Sequence, residues 1–239
     1  MAAGLPPAKQ VFGHGWLLVG GEKMSKSKLT GIAPTQITDI FGSDAFRYYF
    51  MKAIGFGSDG SFSWEDLSAR YNSELANGFG NLASRVIAMI NKYFDGVVPA
   101  PAEYLEADLA IQKVAQDAVA GANSAIDKVA IHEAIAKVWT LVDELNNYIT
   151  VQAPWVLAKD EADRDRLATV LYTTAEGLRL LAVLLSPVTP KATQKLWNSI
   201  GTSLGELSEQ RIQQGEWGVL PAGTKLGELE VLLPRVEEQ

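Results

Sequence analysis

Apolar and aromatic residues recur at Leu67, Tyr71, Leu75, Phe79, Leu82, Val86 and Ile90, in steps of three and four. That spacing keeps one face of a long helix apolar. Ser63 with Asp66 reads as a capping-box-like start, and Asp95-Gly96 as the stop after Phe94. The spacing predicts a second helix over about 107–128 and a third over about 130–150. The third carries Ile131, Ile135, Val138, Leu141, Leu145 and Tyr148 on one stripe and is stopped by Gln152-Ala-Pro-Trp155. A fourth, strongly apolar at its end, covers about 160–185. Thr189-Pro190, an N-cap followed by proline at the first helical position, opens a fifth that runs to Ile200.

The flanks follow other patterns. "VFGHGWLLV", broken by Gly20-Gly21, reads as a strand. Pro34 to Ala53 predicts two short helices, the first ended by Gly42 and the second capped by Ser43 or Asp44. "GFGSDGSFSW" reads as a turn-rich connector, and "ELEVLLP" in the tail as strand-like. The expected fold is therefore mainly α. A small mixed piece, 1–62, precedes an all-helical bundle of about five helices, 63–200, and a tail, 201–239, that packs back on the protein. One strand pair cannot bury enough surface to stand alone, so the first piece either packs on the bundle or belongs to something larger.

Composition narrows the chemistry. The 239 residues hold no cysteine and two histidines, which excludes disulfides and thiolate metal sites. No basic-then-apolar leader and no unbroken apolar run of about 20 residues stand out, so neither a signal peptide nor a membrane partner is expected. The net charge of −7 argues against a surface that coats nucleic acid, but the charge is uneven. Residues 1–60 carry six Lys/Arg against four Asp/Glu, and the remainder 15 against 24. A polyanion contact must be local.

The local cations sit in "GGEKMSKSKLTG", Gly20 to Gly31. On charge alone a solvated surface loop is the favoured reading. The residue types nevertheless suit polyphosphate: Lys23, Lys26 and Lys28 are point charges on mobile stems, and Ser25 and Ser27 are hydroxyl donors. Cations placed where charge develops on a leaving pyrophosphate stabilise that transition state. Asn77, Asn81 and Arg85, spaced by four, form a polar strip about a quarter-turn from the apolar stripe. From spacing alone that strip is an ordinary helix flank, although Asn amides and an Arg fork are groups that read unpaired base edges. Trp155, after a helix-ending proline, fits a core or staple position as well as a base-stacking one.

Lys23-Met24-Ser25-Lys26-Ser27 matches all five positions of the KMSKS signature of class I aminoacyl-tRNA synthetases. "HGWLLVGGEKMSKS", "FGSDAFRYYF", "RYNSELANGFGNLASR" and "QAPWVLAK", in that order, closely resemble the methionyl-tRNA synthetase family over nearly the whole chain. The resemblance implies a class I Rossmann-type catalytic domain, of which residues 1–62 are the end. It also implies formation of methionyl-adenylate from methionine and ATP with Mg2+, and transfer of methionine to tRNA. Met24, Ser25 and Ser27 would join the lysines in binding ATP, Lys26 would be the main catalytic group, and Lys23 would assist it. Residues 29–62 would contact the tRNA stem. The bundle would bind the CAU anticodon through Asn81, Arg85 and Trp155, with Asn77 one turn earlier.

A cytoplasmic monomer is expected. The family's HIGH-type signature and methionine pocket do not occur in these residues, so the chain reads as the C-terminal half of a longer enzyme, inactive by itself. Leu29-Thr30-Gly31 also departs from the Gly-Asn or Gly-Thr many members carry after the motif. The alternatives are a non-catalytic tRNA-binding module and another class I synthetase, such as a cysteine or isoleucine enzyme; "NLASR" with "APW" argues against the latter. Trp64, Trp139, Trp197, Trp217 and His132 read as structural, and Asp44 with Arg47 as a cap and a local ion pair.

Overall fold

The structure is a computed structural model that describes residues 4, 6–19, 22–23, 31–201, 203–211 and 216–236. Strand β1 (Leu17–Val19) pairs antiparallel with β2 (Glu22–Lys23) and parallel with β3 (Gly60–Phe62), in the order β2-β1-β3. The strand expected from Val11 is shorter than its composition implied, because only residues 17–19 find a partner. β3 falls inside the expected connector, and the "ELEVLLP" tail forms no strand. Its Leu232 and Leu233 are instead buried against the helices.

Helix α1 (Pro34–Ala53) bends at Gly42, whose φ of 82° suits a residue without Cβ. The two halves expected from the sequence are thus present, joined by a kink. The long helix is also present but is not uniform. α2 (Trp64–Arg70) passes through a π-helical segment (Tyr71–Gly80) into α3 (Asn81–Phe94). Leu67, Tyr71, Leu75 and Phe79 are all buried, and so are Leu82, Val86 and Ile90, so one apolar face runs through the change of winding.

Helices α4 (Glu106–Asp127), α5 (Ile131–Gln152), α7 (Arg164–Leu185) and α8 (Pro190–Ile200) complete the bundle, with the single-turn α6 (Pro154–Leu157) between α5 and α7. α7 is its axis: every residue from Leu167 to Leu185 is buried. The segment Glu161–Leu185 has the length and mean hydropathy of a membrane span, although Glu176 and Arg179 interrupt it, and its apolar window lies wholly inside the protein. Gly177 lets α5 approach, since a Cβ there would meet Leu145 Cδ1 at 2.7 Å.

α1 packs onto this bundle. Tyr48 lies 4.7 Å from Trp139 between ring centroids, and Lys52 sits 4.6 Å over Trp139 while pairing with Glu74 at 3.0 Å. The expected local pair in "DAFR" is replaced by longer contacts. Asp44 Oδ2 accepts from the Ala192 N–H at 2.7 Å, and Arg47 donates to the Pro187 and Val188 carbonyls. Trp139 and Trp197 are core residues and Trp217 packs on the core, whereas Trp64 is 39% exposed and stands edge-on to Phe62.

The tail is stitched to α7 through a buried ion pair. Glu176 bonds Arg179 through both carboxylate oxygens and accepts the N–H groups of Gly218, Val219 and Leu220. Arg179 also donates to the Glu216 carbonyl at 2.8 Å.

Candidate functional site

Met24, Ser25, Lys26 and Ser27 lie outside the described residues. Lys23 is described for its backbone alone, in β2 opposite Leu18. The geometry of the site therefore rests on the second group of expected residues, at the junction of α3 with the α5–α6 turn.

Asn81 and Arg85 stand four apart on the first turns of α3, on the side away from the buried Leu82, Val86 and Ile90. Asn77 belongs to the π-helical segment, so uniform α-helical phasing does not place it with them. The tail engages it instead: Arg235 Nε donates to Asn77 Oδ1 at 2.9 Å. Asn77, Asn81 and Ser84 share a cleft of about 200 Å³ with the tail residues around Arg235.

Trp155 reaches the same surface from the opposite side. α5 ends as Ala153 adopts a left-handed conformation (φ 43°, ψ 60°) and its N–H bonds the Ile149 carbonyl at 3.0 Å. Pro154 then starts α6 with its φ already fixed, and is itself buried. This reversal turns Trp155 outward, leaving it 41% exposed beside a still more open Val156. The guanidinium carbon of Arg85 lies 5.8 Å from the Trp155 ring centroid, within cation–π range. Of the four expected residues, the structure thus joins Arg85 to Trp155, and places the two asparagines along the neighbouring cleft. A half-exposed indole backed by a cation, near the Asn81 amide, offers a stacking face and hydrogen-bonding groups on one narrow surface. It needs no basic protein around it.

Behind the Trp155 turn is a polar cluster. Arg166 clasps the wholly buried Asp108 with two bonds, at 2.6 and 2.9 Å, and donates at 2.7 Å to Oε1 of Gln152. The Tyr148 hydroxyl donates to the same carboxylate, which also accepts the Leu105 N–H and so caps α4. Burial would push the Asp108 carboxyl up, but the bonds from Arg166, Tyr148 and Leu105 outweigh it and hold it below the usual carboxylate range. Burial, reinforced by the neighbouring Asp108 charge, pushes the Tyr148 phenol up. Sequence reading found neither this cluster nor Arg235. Asp108 and Arg166 are 58 residues apart, and no local pattern marks such a pair.

Comparisons with known proteins identify the family. Residues 1–87 match the family profile described as tRNA synthetases class I (M), and residues 98–239 match the anticodon binding domain of methionyl tRNA ligase. The methionine–tRNA ligase of Streptomyces coelicolor is 52% identical over 245 residues, covering 100% of this chain and 46% of the relative. That of Caldanaerobacter subterraneus subsp. tengcongensis is 44% identical, covering 99% and 37%. The crystal structure of apo Mycobacterium tuberculosis methionyl-tRNA synthetase superposes with a TM-score of 0.87 at 34% identity, covering 100% of this chain and 46% of that one. The same enzyme bound by methionyl-adenylate gives 0.88 at 35%, covering 98% and 45%. The chain spans about half the length, or less, of the curated relatives it matches. With both profiles in their expected order, the helical bundle and the Trp155 turn in place, the chain belongs to the methionyl-tRNA ligase family of class I aminoacyl-tRNA synthetases.

Proposed function

We propose that this chain is the KMSKS-loop and anticodon-binding part of a methionine–tRNA ligase, acting in the cytoplasm on methionine, ATP as its magnesium complex, and tRNA with a CAU anticodon. The observation that carries the reading is the Arg85–Trp155 pair beside Asn81, which joins the part of the chain matched by the class I synthetase profile to the part matched by the anticodon-domain profile. In this reading Trp155 stacks on an unpaired anticodon base while Asn81 and Arg85 bond its neighbours' edges. Asn77 acts through its bond to Arg235. Lys26, assisted by Lys23, stabilises the charge on departing pyrophosphate, and Met24, Ser25 and Ser27 complete the ATP-binding loop. Residues 1–62 are the end of the catalytic domain, 63–200 the anticodon bundle, and 201–239 the tail. The protein works as a monomer.

The test is a titration of the chain with an RNA stem-loop bearing CAU, against the same stem-loop with one anticodon base changed. Preference for CAU that is lost in Trp155→Ala supports the reading; equal binding of both overturns it. A second reading, a tRNA-binding module without catalysis, is favoured by the match of residues 98–239 to the anticodon-binding domain profile. ATP–pyrophosphate exchange by the purified chain separates the two, since measurable turnover excludes a pure binder.

A further inference from the structure

We propose that Gln152, held by Arg166, is the positioning residue of the Trp155 indole, and that this anchor sets the angle at which Trp155 meets an unpaired RNA base; the RNA part rests on the function proposed above. Gln152 is the last residue of α5, and its Oε1 accepts from Arg166 Nη2 at 2.7 Å. That nitrogen also donates to Asp108 Oδ1 at 2.9 Å, while Nη1 donates to Oδ2 at 2.6 Å. A planar guanidinium clasped on one edge by a buried carboxylate has its remaining donors aimed in fixed directions. Asp108 is in turn held by Tyr148 and by its role capping α4. Gln152 therefore bonds to a group that cannot swing.

Little freedom remains between Gln152 and Trp155. Ala153 is locked left-handed by its bond to Ile149, and Pro154 is a buried ring of fixed φ. A fixed Gln152 thus sets where the Trp155 backbone emerges. The indole itself is 41% exposed, so its own packing constrains it less than a core tryptophan is constrained. The Asp108–Arg166 clasp already joins α4 to α7 without Gln152. What the Gln152 bond adds is the tie from that clasp to the end of α5, which is the root of the Trp155 turn.

The experiment uses the full chain labelled with 5-fluorotryptophan, whose 19F spectrum reports all six tryptophans separately, Trp155 being assigned from Trp155→Phe. In Gln152→Ala the Trp155 resonance is expected to shift or broaden while the other five stay in place. Affinity for the CAU stem-loop is expected to fall about threefold, less than loss of the stacking face costs. Gln152→Glu keeps an acceptor for Arg166 and is expected to restore both readouts. An unmoved Trp155 resonance in Gln152→Ala overturns the positioning role. A moved resonance with unchanged RNA affinity, where Trp155→Ala does weaken binding, overturns its link to recognition. If Trp155→Ala leaves RNA binding intact, it is the anticodon reading that fails, and the 19F spectrum still decides the positioning.

Discussion

Asp44 Oδ2 accepts a hydrogen bond from the Ala192 N–H at 2.7 Å, so a side chain of α1 caps a helix 148 residues away. Thr189, the local N-cap of α8, uses its hydroxyl on the Leu185 carbonyl instead. The orphan N–H groups of α8 are thus satisfied by the element that precedes the bundle, which couples the two pieces. Asp44→Ala is expected to lower stability by about 1–2 kcal/mol in urea denaturation, with Asp44→Asn retaining most of it. Equal loss in both variants would show that the cap is not the source.

Trp155→Ala is expected to weaken CAU stem-loop binding by roughly 1–3 kcal/mol, with little change in thermal midpoint because the ring is half exposed. Trp155→Phe should recover part of the loss. Arg85→Lys keeps the charge but loses the planar face set against the indole, so a measurable loss of affinity is expected from it too.

The buried Glu176–Arg179 pair holds the tail through backbone groups of residues 216–220. Removing one partner of such a pair leaves an uncompensated charge, so Arg179→Met should cost about 3–5 kcal/mol. Hydrogen exchange should locate the damage: amides of 218–220 lose protection before those at the α3–α6 surface do.

Acid should weaken the protein partly through Asp108. Its carboxyl is held below its ordinary value in the folded state, so its contribution is complete above the unfolded value of about 4 and is lost as pH falls through the folded one. Asp44 has the opposite sign. Burial raises its carboxyl against the bonds that lower it, so its contribution favours the folded state at low pH and is lost as pH rises through the raised value. Stability measured from pH 5 to 3 should therefore fall less steeply in Asp108→Asn than in the parent, despite the variant's lower starting stability. An unchanged slope would assign the acid sensitivity to other carboxylates.

The helices were legible because each buries one face, and an α-helix that does so repeats its apolar positions every three or four residues. The helices expected at 107–128, 130–150 and to Ile200 are α4, α5 and α8 to within a few residues, and the fourth starts slightly later, at Arg164. The "QAPW" stop was legible because proline cannot continue a helix. Its left-handed Ala153 was not, because alanine carries no signal for that conformation. The π-helical segment was not legible, because the steps of four that run through it also run from Leu82 to Ile90, where the helix is plain α.

Motif order pointed to the family and apolar periodicity to the helices, because both are local properties of the chain; the roles of Asn81, Arg85 and Trp155 came only as what the family resemblance implies. Long-range packing turns Trp155 outward beside Arg85, holds Asn77 against Arg235, sets Asp44 at the start of α8 and ties Gln152 to Asp108 through Arg166. Each of these joins residues separated by 14 to 158 positions. A hydrogen bond or a cation over a ring depends on distance in space, and only the packing of apolar faces brings such groups within reach.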